Sequence, residues 1–153
     1  MAASGISYQS LGYDKIFVAV DGTPQQELVL QRAIIVSANN NADLYIGFVI
    51  DSTALETAGI YSQDIFAKTE ETFRRSIAPQ VAEAEAEPQI KSVTVMVKAG
   101  RIRETLKEEM IDVIDPDLII CGARGLSSVK YALLGSVSTF LIRNANCDTL
   151  VMK

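Results

Sequence analysis

Residues 15–51 read KIFVAVDGTPQQELVLQRAIIVSANNNADLYIGFVID, and the changes of rhythm inside that stretch decide the fold class. Lys15–Asp21 (KIFVAVD) is a short β-branched and aromatic run stopped by Gly22, the pattern of a buried strand. Thr23 and Pro24 follow as the expected N-cap and first residue of a helix, where proline's preset φ fits and its missing N–H is not needed. Val29, Ala33 and Val36 recur at helical spacing, and Asn39-Asn40-Asn41 ends the helix. Leu44–Asp51 (LYIGFVID) is the second strand. Two strands joined through a helical crossover lie parallel in one sheet.

The same alternation continues outward. Ser52–Ser62 reads as a long loop, and Ser62 can cap a polar helix from Gln63 to Glu85 that Pro79 is expected to kink or split. Glu83, Glu85 and Glu87, alternating with alanine, form a solvated face before Pro88. Ile90–Lys98 (IKSVTVMVK) is the third strand, closed by Ala99-Gly100. A helix from Ile102 to Ile114 stops before Asp115-Pro116. Asp117–Gly122 (DLIICG) is the fourth strand, Gly135–Ala145 the last helix and Cys147–Met152 (CDTLVM) the fifth strand. The expectation is an α/β fold, a five-stranded parallel sheet with helices on both faces. Sheets of this kind take the order 3-2-1-4-5 or the flavodoxin-like 2-1-3-4-5, and the first is expected here. Residues 13–153 are expected to form one domain behind a flexible N-terminal segment, residues 1–12.

Composition excludes several chemistries. The 153 residues include no histidine, which removes Ser-His-Asp and Cys-His catalysis and histidine-ligated metal sites. Two cysteines make neither a four-cysteine zinc site nor a disulfide framework. A net charge of −5 disfavours nucleic acid, whose binding rests on phosphate neutralisation. Residues Met1–Leu11 carry no basic n-region, and the longest apolar run, Leu44–Ile50, falls far short of the ~20 residues that span a bilayer. A cytoplasmic protein with no membrane partner is expected.

In the 3-2-1-4-5 order a ligand sits beyond the carboxyl ends of strands one and four, where the order reverses. The residues leaving those strands are Val20-Asp21-Gly22-Thr23 and Cys121-Gly122-Ala123-Arg124-Gly125. From Cys121 to Asn146 there are three basic residues (Arg124, Lys130, Arg143) and no acidic one, so this segment carries +3 and the remainder −8. Gly122 and Gly125 permit close approach of a ligand, and Gly135-Ser136 opens a helix whose free N–H groups suit an anion, with the Ser136 and Ser138 hydroxyls as further donors. Together these describe a phosphate cradle. Plainer readings stand beside it: the glycines are also common turn chemistry, Asp21 also fits as a helix cap, Gly100 as a simple turn, and Lys130 as a solvated side chain. Cys121 and Cys147 read as structural residues.

Gly122-x-x-Gly125, nine residues, then Gly135-Ser136 matches the G-x2-G-x9-G-(S/T) motif of the universal stress protein family, specifically its ATP-binding branch. The opening VAVDGTPQQELVLQRAI, the FVID of Phe48–Asp51 and the closing CDTLVMK also resemble that family, over roughly Tyr13–Lys153. The resemblance implies a Rossmann-like fold of the adenine nucleotide alpha hydrolase-like kind. It implies Asp21 on the ribose or adenine, and Ala19 and Val49 lining the adenine pocket through their backbone. Gly122, Arg124 and Gly125 would wrap the phosphates, with Gly135, Ser136 and Val137 as donors from the helix start. ATP with Mg2+ is the implied cofactor, and no side-chain cluster predicts a dedicated metal site. Where the family often has serine this chain has Ala123, which removes one hydroxyl contact, whereas Arg124 is a common variant.

The implied function is a nucleotide-dependent stress-response or regulatory protein, dimerising through the apolar edge strand Cys147–Met152. No Walker-type lysine and no positioned base are present for fast turnover, so no catalytic residue is assigned. A slow ATPase or phosphotransfer enzyme and a non-binding scaffold of the same fold remain the alternatives. A receiver domain would need an acceptor aspartate where Val97-Lys98-Ala99-Gly100 stands, and a flavin carrier a richer hydroxyl loop than Asp21-Gly22-Thr23-Pro24.

Overall fold

A computed structural model describes residues 12–57, 59, 63–123 and 135–153. Strand β1 (Lys15–Val20) lies at the centre of a five-stranded sheet because both of its faces are apolar. It pairs in parallel with β2 (Asp43–Asp51) on one side and β4 (Leu118–Gly122) on the other. β3 (Ser92–Gly100) adds outside β2, and β5 (Asp148–Met152) outside β4, both parallel. The order is β3-β2-β1-β4-β5, the expected one of the two that the alternation allowed. The chain reverses direction across the sheet between β1 and β4, and Val18 stands opposite Ile120 there. Continuing that register puts the end of β1 level with Gly122 at the end of β4.

Side chains two apart on each strand feed the same core. Ile16, Val18, Val20, Leu44, Ile46 and Ile120 pack under α1 (Gln26–Asn40) and α3 (Gln63–Ala86), against Leu30, Ala33, Phe73 and Ile77. The intervening residues Phe17, Val49, Ile119 and Cys121 pack on the opposite face. Their cover is a continuous right-handed helical stretch and then α6 (Ser136–Asn144). That stretch is α4 (Ile102–Thr105), a π turn (Leu106–Ile111) and α5 (Asp112–Ile114). The wide turn is closed by the Asp112 N–H donating to the Lys107 carbonyl, and it sends Leu106, Met110 and Ile111 into the core. In the middle of β2, Gly47 is required by close approach. A Cβ there would lie 2.6 Å from Phe17 Cε1 and 2.9 Å from Met110 Sδ.

Element ends are set by local chemistry. α1 stops at Asn41, which adopts a left-handed conformation (φ 51°) that asparagine tolerates better than most residues. Its start departs from expectation. Thr23–Gln26 closes a turn, Gln26 N–H to Thr23 O at 3.0 Å, and the helix begins only at Gln26 with no side-chain cap. The stretch read as a loop after β2 opens with a short helix, α2 (Ser52–Thr57), because the Asp51 carboxylate accepts the Thr53 N–H at 3.0 Å. Ser62, expected as the next cap, lies outside the described residues. α3 is not split at Pro79. The proline is exposed, so the Arg75 carbonyl that it leaves without a helical partner is on the solvent side. The N-terminal segment expected to be flexible also lies outside the described residues up to residue 11. Among the described residues no helix is long and apolar enough to cross a membrane.

Candidate functional site

The β1 end of the switch point is a tightly bonded turn. Asp21 is exposed, and its Oδ1 accepts both the Thr23 N–H (3.0 Å) and the Thr23 hydroxyl (2.6 Å). The carboxylate therefore holds the turn that leads into α1, and the second carboxylate oxygen has no partner among the described residues. Gly22 takes φ +77°, a left-handed backbone that glycine reaches without cost, and a Cβ there would only touch Phe48 at 3.5 Å. Its N–H donates to Gln26 Oε1 (3.1 Å), and Gln26 Nε2 donates to Ser76 Oγ (3.2 Å) on α3. Ser76 in turn donates to the Phe73 carbonyl (2.6 Å), beneath a stacked Phe48–Phe73 pair with centroids 4.2 Å apart. Asp21 thus projects from a loop pinned on two sides. Nothing in sequence spacing pointed to Gln26 or Ser76.

Ala19 and Val49 turn their side chains into the core on the α5 face, Ala19 half-buried and Val49 buried. What they can offer a ligand is backbone.

The β4 end is joined to α6 through a clamp. The Ala123 N–H donates to the Met152 carbonyl at the end of β5 (2.7 Å). The Ala123 carbonyl accepts the Gly135 N–H (2.5 Å) and the Ser138 hydroxyl (3.3 Å). The two ends of the glycine-rich loop are thereby fastened together, and the N-terminus of α6 is placed beside Gly122. Arg124, Gly125 and Lys130 lie outside the described residues.

This clamp corrects two expectations. The Gly135 N–H is committed to Ala123, so it is not a donor for an anion in this conformation. The buried Ser138 hydroxyl, which also reaches the Gly135 carbonyl (3.0 Å), is likewise occupied. Among the described residues, the donors left to a ligand are the first-turn N–H groups of Ser136, Val137 and Ser138 and the exposed Ser136 hydroxyl. Gly135 itself is extended (φ −75°, ψ 170°), a conformation open to any residue.

Beside that helix start runs a groove of about 340 Å³ lined by Arg103, Gly135, Ser136, Thr139, Phe140, Arg143 and Asn144. Arg103 belongs to α4, far from the glycine motif in sequence, and reading the motif alone misses it. The only signal for it was its place just after β3, at the same end of the sheet. A larger depression of about 600 Å³ lies on the outer face of α3, lined by Ala67, Glu70, Glu71, Arg74 and Arg75, whose charges already pair along the helix.

The remaining candidates resolve as structural. Gly100 is a packing glycine, since Thr105 Oγ1 fills the space where a Cβ would stand. Cys121 is buried in β4, and burial pushes its thiol up to about 11, far from a usable nucleophile. Cys147 is half-buried, and its thiol is raised by burial first and by Asp148, Asp117 and Asp115 next. Among the described residues no cluster of three cysteine, aspartate or glutamate side chains is arranged to hold a metal.

The model of the universal stress protein family matches residues 12–153. A curated relative from Staphylococcus aureus (strain USA300), named as a universal stress protein, is 30% identical over 141 residues, which are 92% of this chain and 84% of the relative. Another so named, from Staphylococcus saprophyticus, is 29% identical over 143 residues, 94% of this chain and 85% of the relative. Among solved structures, the universal stress protein UspA from Lactobacillus plantarum superposes with TM-score 0.79 at 18% identity, covering 93% of this chain and 99% of that one. A universal stress protein in complex with cAMP superposes with TM-score 0.63 at 24% identity, over 93% and 98%. At these identities the structural matches establish the shared fold.

Proposed function

The chain belongs to the universal stress protein family, and from that premise we propose that it binds ATP at the β1–β4 switch point and acts as a nucleotide-dependent regulatory protein. The observation that carries this reading is the clamp of Ala123 to Gly135 and Ser138. It sets the open N-terminus of α6 beside the end of β4, one strand away from the exposed Asp21. Asp21 holds the ribose or adenine side with its free oxygen, and the backbone at Ala19 and Val49 lines the base. Gly122, Arg124, Gly125, Gly135, Ser136 and Val137 surround the phosphates. Mg2+ would accompany the triphosphate and offset its charge, and among the described residues no side-chain cluster is assigned to hold it. That a universal stress protein of the same fold was solved in complex with cAMP supports an adenine nucleotide as the ligand. β5, whose outer side has no strand partner in the sheet, joins a second copy to form a homodimer, and the protein works in the cytoplasm.

Calorimetry of ATP binding to the native chain and to Gly135→Val tests the reading. The backbone conformation of Gly135 is one that valine adopts, an unchanged melting temperature checks that the variant folds, and the branched side chain is placed to crowd the phosphates. Binding by the native chain and at least tenfold weaker binding by the variant is expected. Equal ATP affinity in the two proteins would remove the cradle.

A further inference from the structure

We propose that the groove between the start of α4 and the exposed side of α6 receives the terminal phosphates of a nucleoside polyphosphate, with Arg103 and Arg143 as the residues that distinguish a triphosphate from a monophosphate. The inference rests on the nucleotide reading above and specifies which end of the nucleotide the chain measures. Gly135 and Ser136, at the helix start that faces the first phosphates, are also walls of this groove, so the two spaces are continuous. Thr139, Phe140 and Arg143 extend the wall along one side of α6, and Arg103 closes it from α4. Arg143 lies seven residues beyond Ser136, about 10 Å along the helix at 1.5 Å per residue, and its long side chain, on a helix whose side chains lean toward the N-terminus, can close that gap toward phosphates beyond the first.

Charge points the same way. Neither Arg103 nor Arg143 is in an ion pair among the described residues, whereas Arg74, Arg75 and Lys107 each have a carboxylate within 2.9 Å. Among the described residues no acidic side chain lines the groove. Two unpaired guanidiniums facing one space cost like-charge repulsion that an anion between them relieves, and each offers a planar fork matched to phosphate oxygens. The Ser136 and Thr139 hydroxyls supply neutral donors between them. A monophosphate held at the helix start would leave Arg103 and Arg143 unengaged.

The test uses the native chain, Arg103→Gln, Arg143→Gln and the double variant, with ATP, AMP and inorganic tripolyphosphate as separate ligands in calorimetry. Both arginines are exposed, so the variants fold, and an unchanged melting temperature checks this. The native chain is expected to bind ATP more tightly than AMP. Each single substitution should weaken ATP and tripolyphosphate about tenfold, while AMP changes by less than about twofold. An ATP-to-AMP ratio that is the same in all four proteins would overturn the inference and leave the nucleotide site standing. Tripolyphosphate binding that needs Arg103 and is as tight as ATP binding, with no binding of AMP, would keep the groove and remove the adenine reading. A chain that binds none of the three ligands loses both.

Discussion

Asp21 holds its turn in this structure and, in the proposed function, the nucleotide as well, and two substitutions separate the two roles. Its Oδ1 holds the Thr23 N–H and hydroxyl at 3.0 and 2.6 Å, and Thr23 is 8% exposed. Asp21→Ala strands two buried donors beside an exposed site that water partly reaches, a cost of about 1–2 kcal/mol. For a chain of this length that lowers Tm by about 3–6 °C. Asp21→Asn keeps an acceptor oxygen in the same place, so the turn survives and the loss is about 0.5 kcal/mol. The proposed nucleotide contact depends on the other property, the negative charge. A carboxylate accepting a ribose hydroxyl contributes about 1.5–3 kcal/mol, and an uncharged amide oxygen about half of that. ATP affinity should therefore fall roughly 10- to 100-fold in Asp21→Ala and about fivefold in Asp21→Asn. Differential scanning calorimetry and isothermal titration on the same preparations give both numbers. If Asp21→Asn bound ATP as tightly as the native chain, the carboxylate would be a turn-former only and its place on the nucleotide would be wrong.

Three further outcomes follow from packing and burial. Gly47→Ala forces a methyl against the fully buried Phe17 ring and Met110 and should destabilise by about 2 kcal/mol; adding Phe17→Leu should recover part of it, and additive effects in the double mutant would show that the contact is not the cause. Pro79→Ala restores a hydrogen-bond donor inside α3 and should raise stability by about 1–3 kcal/mol in urea denaturation, whereas no gain would mean that the helix is already relaxed around the proline. Cys121 is protonated in the fold up to about 11, against 9.0 when unfolded, so the stability it contributes is complete below pH 9 and is lost as pH rises from 9 to about 11. Cys121→Ala should therefore lose about 1.4 kcal/mol less than the native chain between pH 8 and 10, and parallel pH–stability curves would refute the burial argument.

The order of elements was legible because each one is written in its own neighbours. A β-branched run stopped by glycine, a 3.6-residue apolar spacing and an asparagine cluster are local signals, and β1, α1 and β2 appear within two residues of where they were read. The misreadings have the same origin. Pro79 looked like a break because sequence cannot say that its face of α3 meets solvent, and Ser52–Thr57 looked like a loop because a carboxylate at the end of β2 starts that helix. Cys121 was read correctly as structural because its apolar neighbours are adjacent in the chain.

For the site, sequence by itself determined which residues leave β1 and β4, the glycine spacing and the local excess of positive charge, since all of these are order and composition. Tertiary structure decided how the donors are spent. It bound the Gly135 N–H and the Ser138 hydroxyl to the Ala123 carbonyl, tied Asp21 to Thr23, and carried Arg103 from α4 to the side of α6. Each of those outcomes depends on which distant group comes within about 3 Å, and hydrogen-bond allocation at that range is settled only when the helices have docked on the sheet.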